Sequence, residues 1–341
     1  MVIATPMKNC NKELHHYFGA LQTLTYPLSR ITLAILESDS VDGTQELLTT
    51  LLHDKGTLFK NVIFSSFDEG YVSPADRHSF EVQLARRQVL ARARNRLLSM
   101  IPMKEADYVL WMDVDAVDFP PSLIEDLISL QSDVVAAHVV WSKGGVTYDR
   151  NSWWDTEWKK IPTDWELSVN KPTIVNSVWQ PVPSPLSAES SDNETRLVSE
   201  IPDVMFEGYT SGPSSRLYFD DFRKIVKLDK FQQIPLHGVG TACLLVASKV
   251  FLSGLEFPVQ PYKKRVESEG FGLLANDAGF KVVGLPLYEV VHKNSIDKPG
   301  NFKDVHDLFT LKASVFCFSL FFAFLFLLYF KRKATIKDDQ V

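Results

Sequence analysis

Short apolar runs separated by longer amphipathic stretches order the first 140 residues. Residues 2–5, 31–36, 61–65, 108–112 and 134–140 are apolar and of strand length, while 12–24, 44–52, 80–100 and 122–130 repeat their apolar positions at helical spacing. This alternation predicts βαβ units around a mainly parallel sheet, with functional groups gathered where the strands end. Residues 142–235 break the rhythm. They carry Trp153, Trp154, Trp158, Trp165 and Trp179 among many prolines, show no sustained period, and read as a long insertion of the kind that forms lids and binding loops. Strand character returns at 241–247, helix at 267–277, and extended pieces at 281–284 and 288–291 complete a domain spanning 1–300.

Beyond that domain the pattern changes once more. Residues 313–330 are uncharged and apolar and stop at Lys331-Arg332-Lys333. At 1.5 Å per residue such a helix spans roughly 27 Å, matching the thinner bilayers of the early secretory pathway. The expectation is a single transmembrane helix at 313–330, a linker at 301–312 and a basic tail at 331–341. The cations would hold the tail in the cytosol and the domain in the lumen of the Golgi or endoplasmic reticulum. The chain opens Met-Val-Ile-Ala-Thr-Pro, a first strand rather than a signal sequence. Lumenal delivery therefore implies a longer natural amino terminus, and otherwise the anchor is a tail anchor. Asn193-Glu194-Thr195 is a glycosylation sequon compatible with a lumenal domain.

With 341 residues, 45% of them hydrophobic, the chain can bury a sizeable core, and nothing in its balance suggests disorder. The net charge of −6 argues against sequence-independent nucleic-acid binding. Cys10, Cys243 and Cys317 are too few for a disulfide framework and lack metal-ligand spacing.

Candidate chemistry centres on Asp113-Val114-Asp115, which follows the apolar strand 108–112 and precedes Pro120-Pro121, where a helix can start. Two carboxylates at i and i+2 on one strand face can share a divalent cation such as Mg²⁺ or Mn²⁺, and such ions bridge to phosphates. Asp39, one step beyond the second strand, is a candidate for a base or ribose hydroxyl, whereas Asp42-Gly43 and Thr44 are turn and capping chemistry. Arg87 and Arg94, seven apart on one helix, share a face and suit a diphosphate; a solvated basic face is the plainer reading. His292 ends the last extended piece. On its own it is an ordinary structural histidine, of interest for its convergence with Asp113 and Asp115. Gly238-Val239-Gly240 and Glu269-Gly270-Phe271-Gly272 mark close approach of the backbone to a ligand or another strand. Glu207, Glu267 and Glu269 are carboxylates for the acceptor side, or helix-start and surface charges.

Taken in order, several pieces resemble one family: the fungal mannan polymerase subunits of the Anp1, Mnn9 and Van1 type, which are Golgi mannosyltransferases. The pieces are Thr5-Pro6-Met7-Lys8-Asn9, residues 38–44, Ala85-Arg86-Arg87 with residues 91–95, Asp113-Val114-Asp115, Asn151-Ser152-Trp153, Glu207-Gly208-Tyr209, Gly238-Val239-Gly240, residues 267–272 and Val283-Gly284-Leu285-Pro286. They cover about residues 1–293. The resemblance implies a GT-A fold, a Rossmann-like nucleotide-binding sheet, carrying GDP-mannose as donor and Mn²⁺ as cofactor. It implies Asp113, Asp115 and His292 as metal ligands, and Thr5, Pro6, Asp39, Arg87, Arg94, Asn95 and Asp113 around the nucleotide. Asp113, Asp115, Glu207 and Glu269 would be the catalytic carboxylates. The implied reaction is retaining transfer of mannose to a mannan or N-glycan acceptor, in α-1,6 linkage, within a hetero-oligomeric complex of related subunits. The sequence departs from the pattern at His237, where an aspartate precedes Gly-Val-Gly, and in carrying its membrane run at the carboxyl end.

Two other readings stand beside this one. A subunit of a polymerase complex can keep donor-site residues while acting as a non-catalytic scaffold. The apolar strand with Asp113-Val114-Asp115-Ala116-Val117 also fits haloacid-dehalogenase-like phosphotransferases, with Asp113 as nucleophile and Asp115 as general acid.

Overall fold

Apolar side chains alternate between the two faces of each central strand, and the architecture follows from where each set is buried. In the computed structural model, residues 1–72, 74, 79–155, 216–225 and 228–293 are described. The strands are β1 (Val2–Met7), β2 (Thr32–Glu37), β3 (Asn61–Ser66), β4 (Tyr108–Met112), β5 (Ala116–Asp118), β6 (Val134–Val140), β7 (Trp153–Asp155), β8 (Arg216–Tyr218), β9 (Ile234–Pro235), β10 (Cys243–Ala247) and β11 (Val282–His292). The helices are α1 (Leu14–Leu21), α2 (Thr44–Lys55), α3 (Gln83–Met100), α4 (Leu123–Ser129), α5 (Phe219–Ile225), α6 (Ser248–Leu252) and α7 (Glu267–Asp277).

Among these residues the main sheet runs β3-β2-β1-β4-β10-β6-β11-β5, with β9 beside β11, and β7 and β8 form a separate ribbon. The protein is thus a mixed α/β fold with a central sheet. Ile3, Leu33, Ile35, Leu110 and Met112 face one core with α1, α2 and α4. Val2, Ala4, Ala34, Leu36, Val109 and Trp111 face the other with α3, α6 and α7. Central strands covered on both sides read as continuous apolar runs, which is why they were visible in the sequence. On α3 the inward stripe Gln83, Arg87, Ala91, Arg94 and Leu98 follows helical spacing, with two arginines in place of apolar residues.

The expected mainly parallel sheet holds from β3 to β4. It fails at β10, which is antiparallel to both β4 and β6. A parallel neighbour needs a crossover that returns the chain to the starting edge. Here Gly238–Ala242 reaches the sheet at the edge where β4 ends, so β10 must run back across it. β4, β6 and β11 share one direction, and their carboxyl ends, carrying Asp113, Trp141 and His292, meet at that same edge. No described helix is long and apolar enough to cross a membrane. The 313–330 run, the linker and the tail lie outside the described residues, as do 156–215 of the insertion.

One buried polar group in the core has a pH consequence. His138 on β6 is fully buried; its Nδ1–H donates to the Pro286 carbonyl at 2.8 Å and its Nε2 lies 2.8 Å from the Thr147 hydroxyl. Pro286 sits in the bulge of β11, where an absent N–H costs no ladder bond. Burial lowers the His138 pKa from 6.5 to about 4. The unfolded chain therefore binds the extra proton first, and stability should fall as pH drops from about 6.5 towards 4. Urea unfolding across that window should give a shallower dependence in His138→Gln than in the wild type; equal slopes would rule out this origin.

Candidate active site

Backbone register, more than side-chain attraction, brings the candidate ligands together. The Asp113 N–H donates to the Ala242 carbonyl at 3.0 Å, and its own carbonyl accepts from Ala116 N–H at 3.1 Å, closing a tight turn that carries Asp115. β5 then pairs antiparallel with β11, setting Ala116 opposite His292, and Lys293 N–H donates to the Asp115 carbonyl at 2.8 Å. As a result His292 Nε2 lies 2.8 Å from Asp115 Oδ2. The Nδ1–H of the same ring donates to the Lys293 carbonyl at 2.9 Å. The imidazole stacks on Tyr148 with centroids 3.6 Å apart and meets the Trp141 ring edge-on at 5.8 Å. Despite its short approach to Asp115, the buried Nε2 makes no hydrogen bond of acceptable geometry. Burial opposes a charge on His292, but the Asp115 contact and the charges of Asp115 and Asp113 raise its pKa. Asp113 is raised by burial and then by Asp115, with Arg94 and His292 opposing. Asp113, Asp115 and His292 were expected to form a ligand set. Among the described residues no group of three or more His, Cys, Asp or Glu side chains is arranged to hold a metal ion; of the three, Asp115 and His292 are the pair in contact.

Beneath this edge lies a buried ionic cluster. Glu267 accepts from Arg94 Nε at 2.7 Å and from Arg87 Nη1 at 3.1 Å. Arg94 also donates to Thr241 Oγ1 at 2.5 Å, and Arg87 to Asn151 Oδ1 at 3.2 Å. Burial opposes ionisation of Glu267, yet Arg94 and Arg87 hold its pKa down to about 2. Arg87 Nε and Arg94 Nη1 are buried without a partner. Asn95, placed by resemblance near the nucleotide, spends its amide on the Phe257 backbone, donating at 2.8 Å and accepting at 2.9 Å.

The remaining predicted residues are placed as follows. Thr5 is buried, its hydroxyl 2.7 Å from that of Tyr17, and Pro6 lies in β1 past the last pairing with β4, where its missing N–H is tolerated. Asp39 accepts from the backbone amides of Gly70 at 2.9 Å and Glu69 at 3.3 Å and so ties down the loop after β3. Glu269, in the first turn of α7, accepts from Trp153 Nε1 at 3.0 Å and Arg265 Nη1 at 2.9 Å. His237 accepts the Asp155 N–H at 3.0 Å on Nδ1 and stacks on Trp154 at 4.1 Å. Glu207 lies outside the described residues.

Sequence reasoning missed Tyr148 and Asp149. Tyr148 lies near Asp115, Asp113 and Asp149; burial and those charges raise its phenol well above the usual range, so it remains a hydrogen-bond donor. Asp149 Oδ1 accepts from Asn151 N–H at 3.1 Å and from its side-chain amide at 2.9 Å, and Oδ2 faces Ala242 N–H at 3.4 Å. Burial raises its pKa, with the Arg87 charge opposing. The available signal was the Asp149-Arg150-Asn151 spacing, an Asx-turn pattern usually read as a loop feature.

Comparison with known proteins agrees with the family resemblance. A model of the Anp1 family matches residues 1–164 and 167–261. The mannan polymerase II complex anp1 subunit of Schizosaccharomyces pombe is 31% identical over 306 residues, covering 86% of this chain and 63% of that protein. The corresponding ANP1 subunit of Saccharomyces cerevisiae is 30% identical over 302 residues, covering 86% and 54%. The mannan polymerase complex subunit mnn9 of Schizosaccharomyces pombe is 31% identical, covering 86% and 80%. The chain thus spans roughly half to two thirds of the two anp1 subunits. Among solved structures, a mannosyltransferase from Pyrobaculum calidifontis in complex with GDP-Man and Mn²⁺ has a TM-score of 0.43 and 10% identity, covering 87% of this chain and 57% of that one, too slight a likeness to argue from. With the family model over most of the chain and relatives at about 30% identity along it, the protein belongs to the Anp1 family.

Proposed function

We propose that this protein is a metal-dependent mannosyltransferase of GT-A type. It would transfer mannose from GDP-mannose to a mannan or N-glycan acceptor with retention and in α-1,6 linkage, as one subunit of a hetero-oligomeric complex. Support for the class comes from the relatives, which are named as mannan polymerase complex subunits. Support for the chemistry comes from one observation above all. Asp115 Oδ2 and His292 Nε2 lie 2.8 Å apart without a hydrogen bond, while Nδ1–H is spent on a backbone carbonyl. With Nδ1–H held by the backbone, loss of a proton from Nε2 would free its lone pair on the Asp115 side, the arrangement in which a histidine ligates. Two carboxylates and an imidazole, from Asp113, Asp115 and His292, are the donor types a cation of the Mn²⁺ kind takes, although the three are not drawn together into a ligand cluster here. Bound there, the cation would neutralise charge on the departing diphosphate. Asp113, Asp115 and His292 are the ligands we infer. Arg87 and Arg94 remain the candidates for the phosphate side, and the half-buried Asp149 and the buried Glu269 supply carboxylates around them.

The scaffold reading has its own support: Asp39, Asn95 and most of the Arg87 and Arg94 donors are engaged by the protein itself. Calorimetric titration of GDP and GDP-mannose, with and without Mn²⁺, separates the two. The expected result is Mn²⁺-dependent binding to the wild type. Asp115→Ala and His292→Ala should each weaken it beyond the roughly 10–100-fold typical of losing an outer-shell partner. A well-folded wild type that binds neither ligand would favour the scaffold.

A further inference from the structure

Tyr148 belongs to no motif singled out in the sequence, yet it covers one whole face of the His292 ring, with centroids 3.6 Å apart and planes 21° from parallel. It reaches that place from the short hairpin after β6. Val140 and Thr147 bridge across this hairpin, and Tyr148 N–H donates to the Val139 carbonyl at 2.8 Å. Trp141, at the other foot of the hairpin, packs edge-on against Tyr148 at 4.6 Å and so backs the stack. The hairpin tip is anchored in turn, since Glu289 accepts from Gly144 N–H at 2.8 Å and holds Arg223 at 2.9 Å.

From this geometry we infer that Tyr148 is the positioning residue of His292: its ring face and the Nδ1 bond to Lys293 together hold the imidazole with Nε2 beside Asp115 Oδ2, at 2.8 Å. The hydrogen bond alone leaves the imidazole free to swing about the Nδ1···O line, and a flat aromatic surface at stacking distance removes that freedom. The inference rests on the metal-site reading. It assigns the work to the aromatic face and not to the phenol oxygen, because no hydrogen bond to that oxygen occurs among the described residues. A residue that orients a ligand from outside the coordination sphere typically changes metal affinity 10–100-fold when removed.

The test measures Mn²⁺ affinity of the full chain by electron paramagnetic resonance of the free ion, together with the His292 ring proton shifts by NMR. Wild type, His292→Ala, Tyr148→Phe and Tyr148→Leu are compared. Tyr148→Phe keeps the face and should bind within about twofold of wild type, with the upfield ring-current shift retained. Tyr148→Leu should bind about 10-fold or more weakly, with that shift lost. Wild-type affinity in folded Tyr148→Leu would overturn the inference, as would a Tyr148→Phe defect equal to that of Tyr148→Leu. Should Tyr148→Leu fail to fold, the wild-type spectrum decides: no upfield shift of the His292 protons means no stack. Equal Mn²⁺ binding by wild type and His292→Ala, or none by either, would overturn the metal reading itself and the inference with it. That outcome is distinct from one in which His292 matters and Tyr148 does not.

Discussion

Replacing Glu267 with alanine should destabilise the protein by roughly 3–5 kcal/mol, the range for breaking a buried ion pair and leaving charge behind. Two cations depend on this one carboxylate, Arg94 at 2.7 Å and Arg87 at 3.1 Å, and all three side chains are buried. Neither guanidinium can turn to solvent without leaving the α3 face that packs beneath the sheet. Glu267 also has φ +58°, a left-handed conformation that side chains adopt at a cost, so the position is held by what it binds. Glu267→Gln keeps the shape and loses the charge, and should recover only a small part of the loss. The pH dependence gives an independent check. Glu267 has a pKa of about 2 when folded against an ordinary 4.5, so its stabilisation is complete above about 4.5 and is lost as pH falls towards 2. Urea midpoints of the wild type should fall over that window, and those of Glu267→Gln should fall less. A Glu267→Ala variant within 1 kcal/mol of wild type, by the range cited above, would mean the cluster is far better solvated than its burial implies.

That cluster shows what a sequence can and cannot reveal. The seven-residue spacing of Arg87 and Arg94 placed both on one face of α3, and that face was legible. Its partner lies 173 positions from Arg94, and no local pattern links them. The strands β1, β2, β4 and β6 were legible because they are buried on both sides, the half-buried edge strand β3 because it is a short apolar run, and α7 because its pattern is periodic and bounded. β5 was not. Ala116–Asp118 is three residues long and ends in a charge, so only pairing with β11 makes it a strand. Yet β5 is the element that delivers Asp115 to His292. Asp113, Asp115 and His292 could be nominated from type and position; the contact between the last two depended on a register set by the tertiary fold. Tyr148 and Asp149 stood in a stretch without periodicity, where propensity carries little information.

Among the described glycines Gly240→Ala should be the most damaging, because an added Cβ there meets the shortest contact and the adjoining Thr241 and Ala242 each hold a different part of the site. Thr241 accepts from Arg94, Ala242 gives its carbonyl to Asp113 N–H, and Ala242 N–H faces Asp149. A Cβ on Gly240 would overlap the Asp149 carboxylate itself. That carboxylate cannot simply step aside, since Asn151 fixes its other oxygen through both the backbone and the side-chain amide. Either Asp149 leaves its seat or residues 240–242 shift, and a shift there moves Asp113 and Arg94 together. Overpacking of this kind costs about 1–3 kcal/mol, and on the proposed activity a displacement near 1 Å in reacting groups would lower turnover about 100-fold. If the clash is the cause, removing its other half should relieve it. The Gly240→Ala/Asp149→Ala double variant should then be more stable than the sum of the two single losses by at least about 0.5 kcal/mol, the coupling expected of residues in contact. Strict additivity would place the damage elsewhere in residues 238–242, for instance at Gly238, whose neighbour is the Trp153 indole. If the protein carries the proposed mannosyl transfer, that activity would then test whether Asp149 matters for more than packing. Recovery of stability without recovery of transfer in the double variant would mark its carboxylate as part of the reacting site, whereas recovery of both would reduce it to a structural cap on residues 240–242.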